Sequence, residues 1–310
     1  MPSSPHPSQS GKQPEPDQAS SSTLAGNLAC ISAVILFALG FPAADKLLAD
    51  WGVFSLIAVR NTLGFCLLVA LWIAIEGWRK VLYAPWLTGI RIGSFGFGLG
   101  ATLLLVTQSM TNAVTAALAA ATMPVAAVAI EVALDGRKLT LYFMSGVVLV
   151  LLGGILATGM NLNDASFGSG ALLGLISATI FAWGSRSTVK SLPFMKPLGQ
   201  TVVTTAGMAG FCIVVYVLLS AIGLPGTQTA ALNAENWGWL LIYAWLSLAL
   251  SQTFWISGVG KLGIGVASFH LNAGPFYVML ILLALGGSWS WMQAIGAAVL
   301  ATGVVLAQKD

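Results

Sequence analysis

Along most of this 310-residue chain the apolar positions neither alternate nor form a narrow stripe; they run in long blocks. Ten blocks reach the ~20 residues that a helix needs to cross a bilayer: 24–44, 53–75, 87–109, 112–131, 139–158, 168–189, 200–222, 237–258, 264–285 and 289–307. They are too long for membrane strands and lack a two-residue alternation. Most connections are short, and the longest, 223–236, is rich in turn formers. The pattern predicts an all-α integral membrane protein with ten transmembrane helices. Residues 1–23 break the pattern: Pro, Ser and Gln dominate, which predicts a disordered tail, and the charged n-region of a signal peptide is lacking.

Composition agrees with the blocks. The chain is 57% hydrophobic and 7% charged, against roughly 25% charged in soluble domains. The charges also set an orientation. With the N-terminus in the cytoplasm, inner connections hold Arg79, Lys80, Arg137, Lys138, Lys190, Lys196 and Lys261, while outer ones hold only Lys46. Lys309 then places the C-terminus inside as well. The net charge of +3 follows topology, so no nucleic-acid partner is expected. Cys30, Cys66 and Cys212 lie in apolar blocks without ligand spacing, and His6 is far from His270. No metal and no cofactor is expected.

The blocks repeat. FALGFPAADK (37–46) and FAWGSRSTVK (181–190) match in Phe, Ala, Gly and Lys at an offset of 144. Pro124 in the fourth block has a counterpart in Pro275 of the ninth. Gly146 and Gly153 in the fifth are spaced like Gly296 and Gly303 in the tenth. The chain reads as two five-helix halves, 24–158 and 168–307. Five is odd, so the second half enters the membrane inverted, with Lys46 outside and Lys190 inside. Inverted repeats are an architecture of secondary transporters.

These residues resemble the drug/metabolite transporter superfamily of the EamA type, ten-helix transporters. The clearest match is SMTNAVTAALAAATMPVAAVAI (109–130): a polar link, small residues, then Thr122-Met123-Pro124. The FAWG of the sixth block, the Gly-x6-Gly of the fifth and tenth, and Arg60 in the second are similar too. The family's Gly-Glu after the fourth and ninth helices is replaced by Gly136-Arg137 and Gly287-Ser288. The resemblance implies small organic solutes such as amino acids or related metabolites, commonly exported, across a bacterial inner (cytoplasmic) membrane.

Candidate site residues are the polar and kink-forming groups inside the blocks, since such groups usually face a cavity or the bundle interior. SFHLNAGPFYVML (268–280) holds His270, Asn272, Pro275 and Tyr277. His270 has two readings: a binding or proton-coupling group, or a neutral imidazole bonded to a nearby helix. Pro275 is expected to kink the helix and free the carbonyl of Leu271. Asn272 lies about 200° round an ideal helix from His270, so both face one cavity only if the helix is distorted. Pro124 kinks the other half. Arg60 either attracts a carboxylate or snorkels outward, and is assigned a gating or structural role. Gln108, Gln252, Trp183 and Trp255 supply hydrogen bonds and aromatic walls for a substrate site, with lipid-facing packing the alternative for the tryptophans. Glu131 reads as a solvated ion-pair partner of Arg137 and Lys138. The glycines of GIRIGSFGFGLG (89–100) read as close helix packing, with no phosphate-loop Lys-Ser/Thr behind them.

Nucleophile, acid and metal constellations of a membrane-embedded enzyme are missing from the blocks, as are nucleotide motifs and the charge rings of a channel. The expectation is a secondary transporter of a small organic metabolite working by alternating access. Export is one direction; proton-coupled uptake on the same fold is the other.

Overall fold

A computed structural model describes residues 16–136, 140–158 and 165–307. Arg137, Lys138, Lys309, residues 1–15 of the expected tail and the Glu131 side chain lie outside the described residues. Every regular element among the described residues is helical. We label them α1 (Pro16–Leu48), α2 (Val53–Glu76), α3 (Trp86–Met110), α4 (Ala113–Ala120), α5 (Met123–Asp135), α6 (Leu141–Thr158), α7 (Ala165–Ser191), α8 (Pro197–Ala221), α9 (234–262), α10 (264–284) and α11 (Trp291–Ala307). Among the described residues seven stretches are long and apolar enough to cross a membrane, and α6 and α11 are shorter apolar helices.

Helix α1 begins at Pro16, earlier than its apolar block. Pro at a first helical position lacks only an N–H that would be unpaired anyway. The Asp, Gln, Ala, Ser and Thr that follow contain no breaker, so the helix extends back into the polar segment.

Two breaks shape the bundle. The helical stretch Ala234–Ala284 has 51 residues; straight, it would measure about 76 Å, more than twice the hydrocarbon thickness. Gly263, at φ 77° and ψ 159°, divides it into α9 and α10. That conformation is open essentially to glycine alone. The second break lies at Ala121 and Thr122, between α4 and α5, where the Thr122 hydroxyl donates to the Ala119 carbonyl at 2.7 Å. Pro124, lacking an N–H, stands just inside α5. Two π-helical segments, Gly93–Leu99 in α3 and Ile242–Leu250 in α9, widen these helices locally.

Small residues set the closest contacts. A Cβ at Gly146 would lie 2.4 Å from the backbone nitrogen of Ala307, and one at Gly296 2.3 Å from that of Ala157. A Cβ at Gly153 would meet Leu300 N at 2.4 Å, and one at Gly303 would meet Val150 N at 2.7 Å. Each pair maps onto another by one shift of 150 positions, so α6 and α11 meet reciprocally. Likewise Gly96 of α3 abuts Gly184 of α7, as Gly40 of α1 abuts Ser247 of α9. Helices α1, α3, α7 and α9 thereby surround the centre, with α2 and α8 packed on each other and against α3 and α9.

Candidate functional site

Two cavities meet at the centre of this bundle and share Phe37, Leu104, Phe181 and Gln252 in their walls. One extends past Ala33, Ser251 and Trp255, the other past Phe41, Arg60, Gln108 and Tyr243. Their volumes are about 50 Å³ and 40 Å³. That is room for a few waters. Phe37 and Phe181 are the matching aromatics of FALG and FAWG, and both line both cavities. They form a two-part apolar waist.

Most polar groups around the waist are already committed. Ser247 donates to the Phe37 carbonyl at 3.2 Å and Ser251 to that of Ala33 at 3.0 Å, holding α9 to α1. Trp255 donates through Nε1 to the Ser185 hydroxyl at 3.0 Å. Gln108 donates through Nε2 to the Phe41 carbonyl at 2.7 Å and to Asp45 Oδ1 at 2.6 Å. A glutamine thus ties α3 to an acid near the end of α1.

Arg60 and Gln252 differ. Arg60 is 5% exposed, with its guanidinium carbon 4.3 Å from the Tyr243 ring centroid. Its Nε donates to the Tyr243 carbonyl and one Nη to Asn61 Oδ1, both long at 3.3 Å. Among the described residues no carboxylate bonds it. It does not snorkel: its head group is packed against α9 beside the cavity. The Gln252 Nε2 is buried and makes no hydrogen bond. A buried donor without an acceptor, as at Gln252, is costly, and Arg60 and Gln252 border one cavity.

His270, Asn272 and Tyr277 share a different place. They line a groove between α1, α10 and α11, outside the central cavities, with Val34 of α1 between the two. Phe269–Ala273 is a 3-10 helix. At three residues per turn the angle between positions 270 and 272 narrows, which brings both onto the groove. Pro275 does not leave the Leu271 carbonyl free, contrary to expectation; the Gly274 N–H takes it in the tighter bonding pattern. His270 Nδ1 lies 3.1 Å from the Ala267 carbonyl and, facing an acceptor, is the donor. Asn272 Oδ1 is buried without a partner. A second groove, beside α4, α6 and α7, carries Ala119 and Thr122.

Of the substrate-site candidates, Gln108, Gln252 and Trp255 therefore come together at the centre, joined by Arg60. Trp183 is 37% exposed and lines neither cavity; its neighbour Ala182, fully buried, takes the inward direction. Phe37, Phe181, Tyr243 and Asp45 were not singled out from sequence. The repeated Phe was the available signal for the first two.

A multi-pass helical bundle around small cavities with aromatic, amide and guanidinium walls defines a multi-pass membrane protein. Residues 24–159 are similar to the EamA-like transporter family. A solved crystal structure shares the fold at a TM-score of 0.67, with 19% identity, covering 94% of this chain and 98% of its own. No curated protein matches the sequence.

Proposed function

We propose that the chain is a secondary transporter that moves a small organic metabolite across the cytoplasmic membrane of a bacterium by alternating access, in the direction of export. On this reading it crosses the bilayer ten times: α4 with α5 makes one crossing, α9 and α10 one each, and α6 and α11 the two short ones. Residues 24–158 and 168–307 are inverted halves, and both termini are cytoplasmic. The reciprocal α6–α11 contact and the paired π-helical segments support the inverted arrangement.

The observation that carries the function is the small central chamber. It lies where the two halves meet, with one phenylalanine from each half at its waist and an unpaired amide donor, Gln252, in its wall. Rocking the halves about the small-residue contacts would open it to one side at a time. Trp255, Gln108 and Arg60 serve as its polar and aromatic frame. The direction rests on family likeness alone. His270 lies off the chamber, so coupling through it has no geometric support, and a solute gradient or exchange supplies the energy.

The test is counterflow into liposomes holding the purified protein, over a panel of amino acids, carboxylates, amines and nucleosides. Saturable flux of at least one solute, reduced about tenfold by Gln252→Leu, is expected for loss of a hydrogen bond worth about 1.4 kcal/mol. Flux for none of them would remove the reading.

A further inference from the structure

Among the described residues, the charge that lines the chamber is a cation: Arg60 uses only two of the five N–H bonds a guanidinium carries, and beside it the Gln252 Nε2 has no acceptor. The hydroxyls of Ser247 and Ser251 give their protons to α1 carbonyls, and Gln108 gives its own to Phe41 and Asp45. Among the described residues no Asp or Glu lines either cavity. Asp45 lies at the edge, in a separate opening with Lys46, where Gln108 engages it. The rest of the wall is apolar, with Phe37, Phe181 and Leu104 common to both cavities.

A guanidinium buried in a membrane protein without a counter-anion is strongly disfavoured unless something in the working cycle neutralises it. Its planar fork matches a carboxylate better than any neutral acceptor. An ammonium group would find the opposite: a like charge at Arg60, and no acid to receive it. Burying it unpaired is costly.

We infer that the solute is a monocarboxylate with an apolar body and no amino group. Its carboxylate takes the free N–H groups of Arg60 together with Gln252 Nε2, and its body lies between Phe37 and Phe181. This assignment rests on the transporter reading of the same chamber. It separates an organic acid from the amino acid of the same skeleton, two solutes that family likeness leaves together. It also makes Arg60 a binding residue that discriminates by charge and by geometry.

The experiment is counterflow with matched solutes: 3-phenylpropanoate, phenylalanine and 2-phenylethylamine on one skeleton, 4-methylpentanoate and leucine on another. It is run well above the acids' pKa against protein-free liposomes, because the neutral acid crosses lipid unaided. The expected order is carboxylate over amino acid by about tenfold or more, with no amine flux, as a charge-assisted pair demands. Arg60→Lys keeps the charge and loses the fork; it should raise KM for the carboxylate about tenfold and leave the protein monodisperse on size exclusion. The same carboxylate should raise the thermal midpoint of wild type more than that of Arg60→Lys, a readout independent of flux. Amino acid or amine preferred over carboxylate overturns the assignment and leaves the transporter reading standing. An unchanged KM and midpoint shift in Arg60→Lys overturns the role of Arg60. No flux and no stabilisation by any solute removes both.

Discussion

Gln108 of α3 donates to Asp45 of α1 at 2.6 Å, and the same nitrogen donates to the Phe41 carbonyl at 2.7 Å. One amide therefore pins the ends of two helices that border the chamber. Gln108→Leu should loosen that end. For a loss of about 1 kcal/mol, amide hydrogen exchange over residues 106–112 should quicken about fivefold. Mass-resolved exchange on the purified protein checks this; unchanged rates would mean that the contact does not hold the helices together.

Gly153 and Gly154 are neighbours with opposite surroundings. A Cβ at Gly153 would meet Leu300 N at 2.4 Å, whereas one at Gly154 meets nothing within 4 Å. Gly153→Ala should cost about 1–3 kcal/mol through overpacking against backbone that cannot move aside. Gly154→Ala should be neutral or stabilise by up to about 1 kcal/mol, since helical glycine is entropically poor. Thermal unfolding in detergent should separate the two variants, and equal midpoints would refute the close contact between α6 and α11.

Gly263→Ala places a side chain at φ 77° and ψ 159°. The strain is about 1–3 kcal/mol, and the turn from α9 into α10 depends on that residue. Gly260→Ala, where a Cβ meets nothing within 4 Å, is the control. The expected result is a lower midpoint and lower folded yield for the first variant only.

Asn272 Oδ1 is a buried acceptor with nothing to accept. Replacing it by an apolar group of similar size removes an unmet polar group, so Asn272→Leu should stabilise by about 1 kcal/mol. Destabilisation would reveal a partner in the groove. In the same groove His270 is bonded to its own helix at Ala267. The pH profile of flux in His270→Ala should match that of wild type, and a flattened profile would return proton coupling to this residue.

Much of the bundle was legible in the sequence because bilayer thickness is a hard constraint on block length. The break before Pro275 was legible for the same kind of reason, since a proline cannot donate. Its outcome was not. Whether the freed carbonyl stays open depends on the bonding pattern that replaces the α-helix, and Gly274 resolves it locally. The direction of a side chain was harder still. His270 and Asn272 were marked by polarity, yet a 3-10 segment turns them toward a lateral groove. Trp183 and Trp255 looked alike as aromatic residues in apolar blocks, and only packing separates the exposed one from the buried one. Phe37 and Phe181 were hidden by being ordinary; nothing in an apolar block distinguishes a phenylalanine that lines a chamber from one that faces lipid.

The glycine contact between α6 and α11 has the form of an isologous interface. Each helix offers the same patch to the other, as the two chains of a C2 dimer do. Gly146 meets the strand of backbone at Ala307 as Gly296 meets that at Ala157. On the proposed inverted arrangement each half covers the patch of the other, and Gly146 and Gly296 are the positions where neither half has room for a larger side chain.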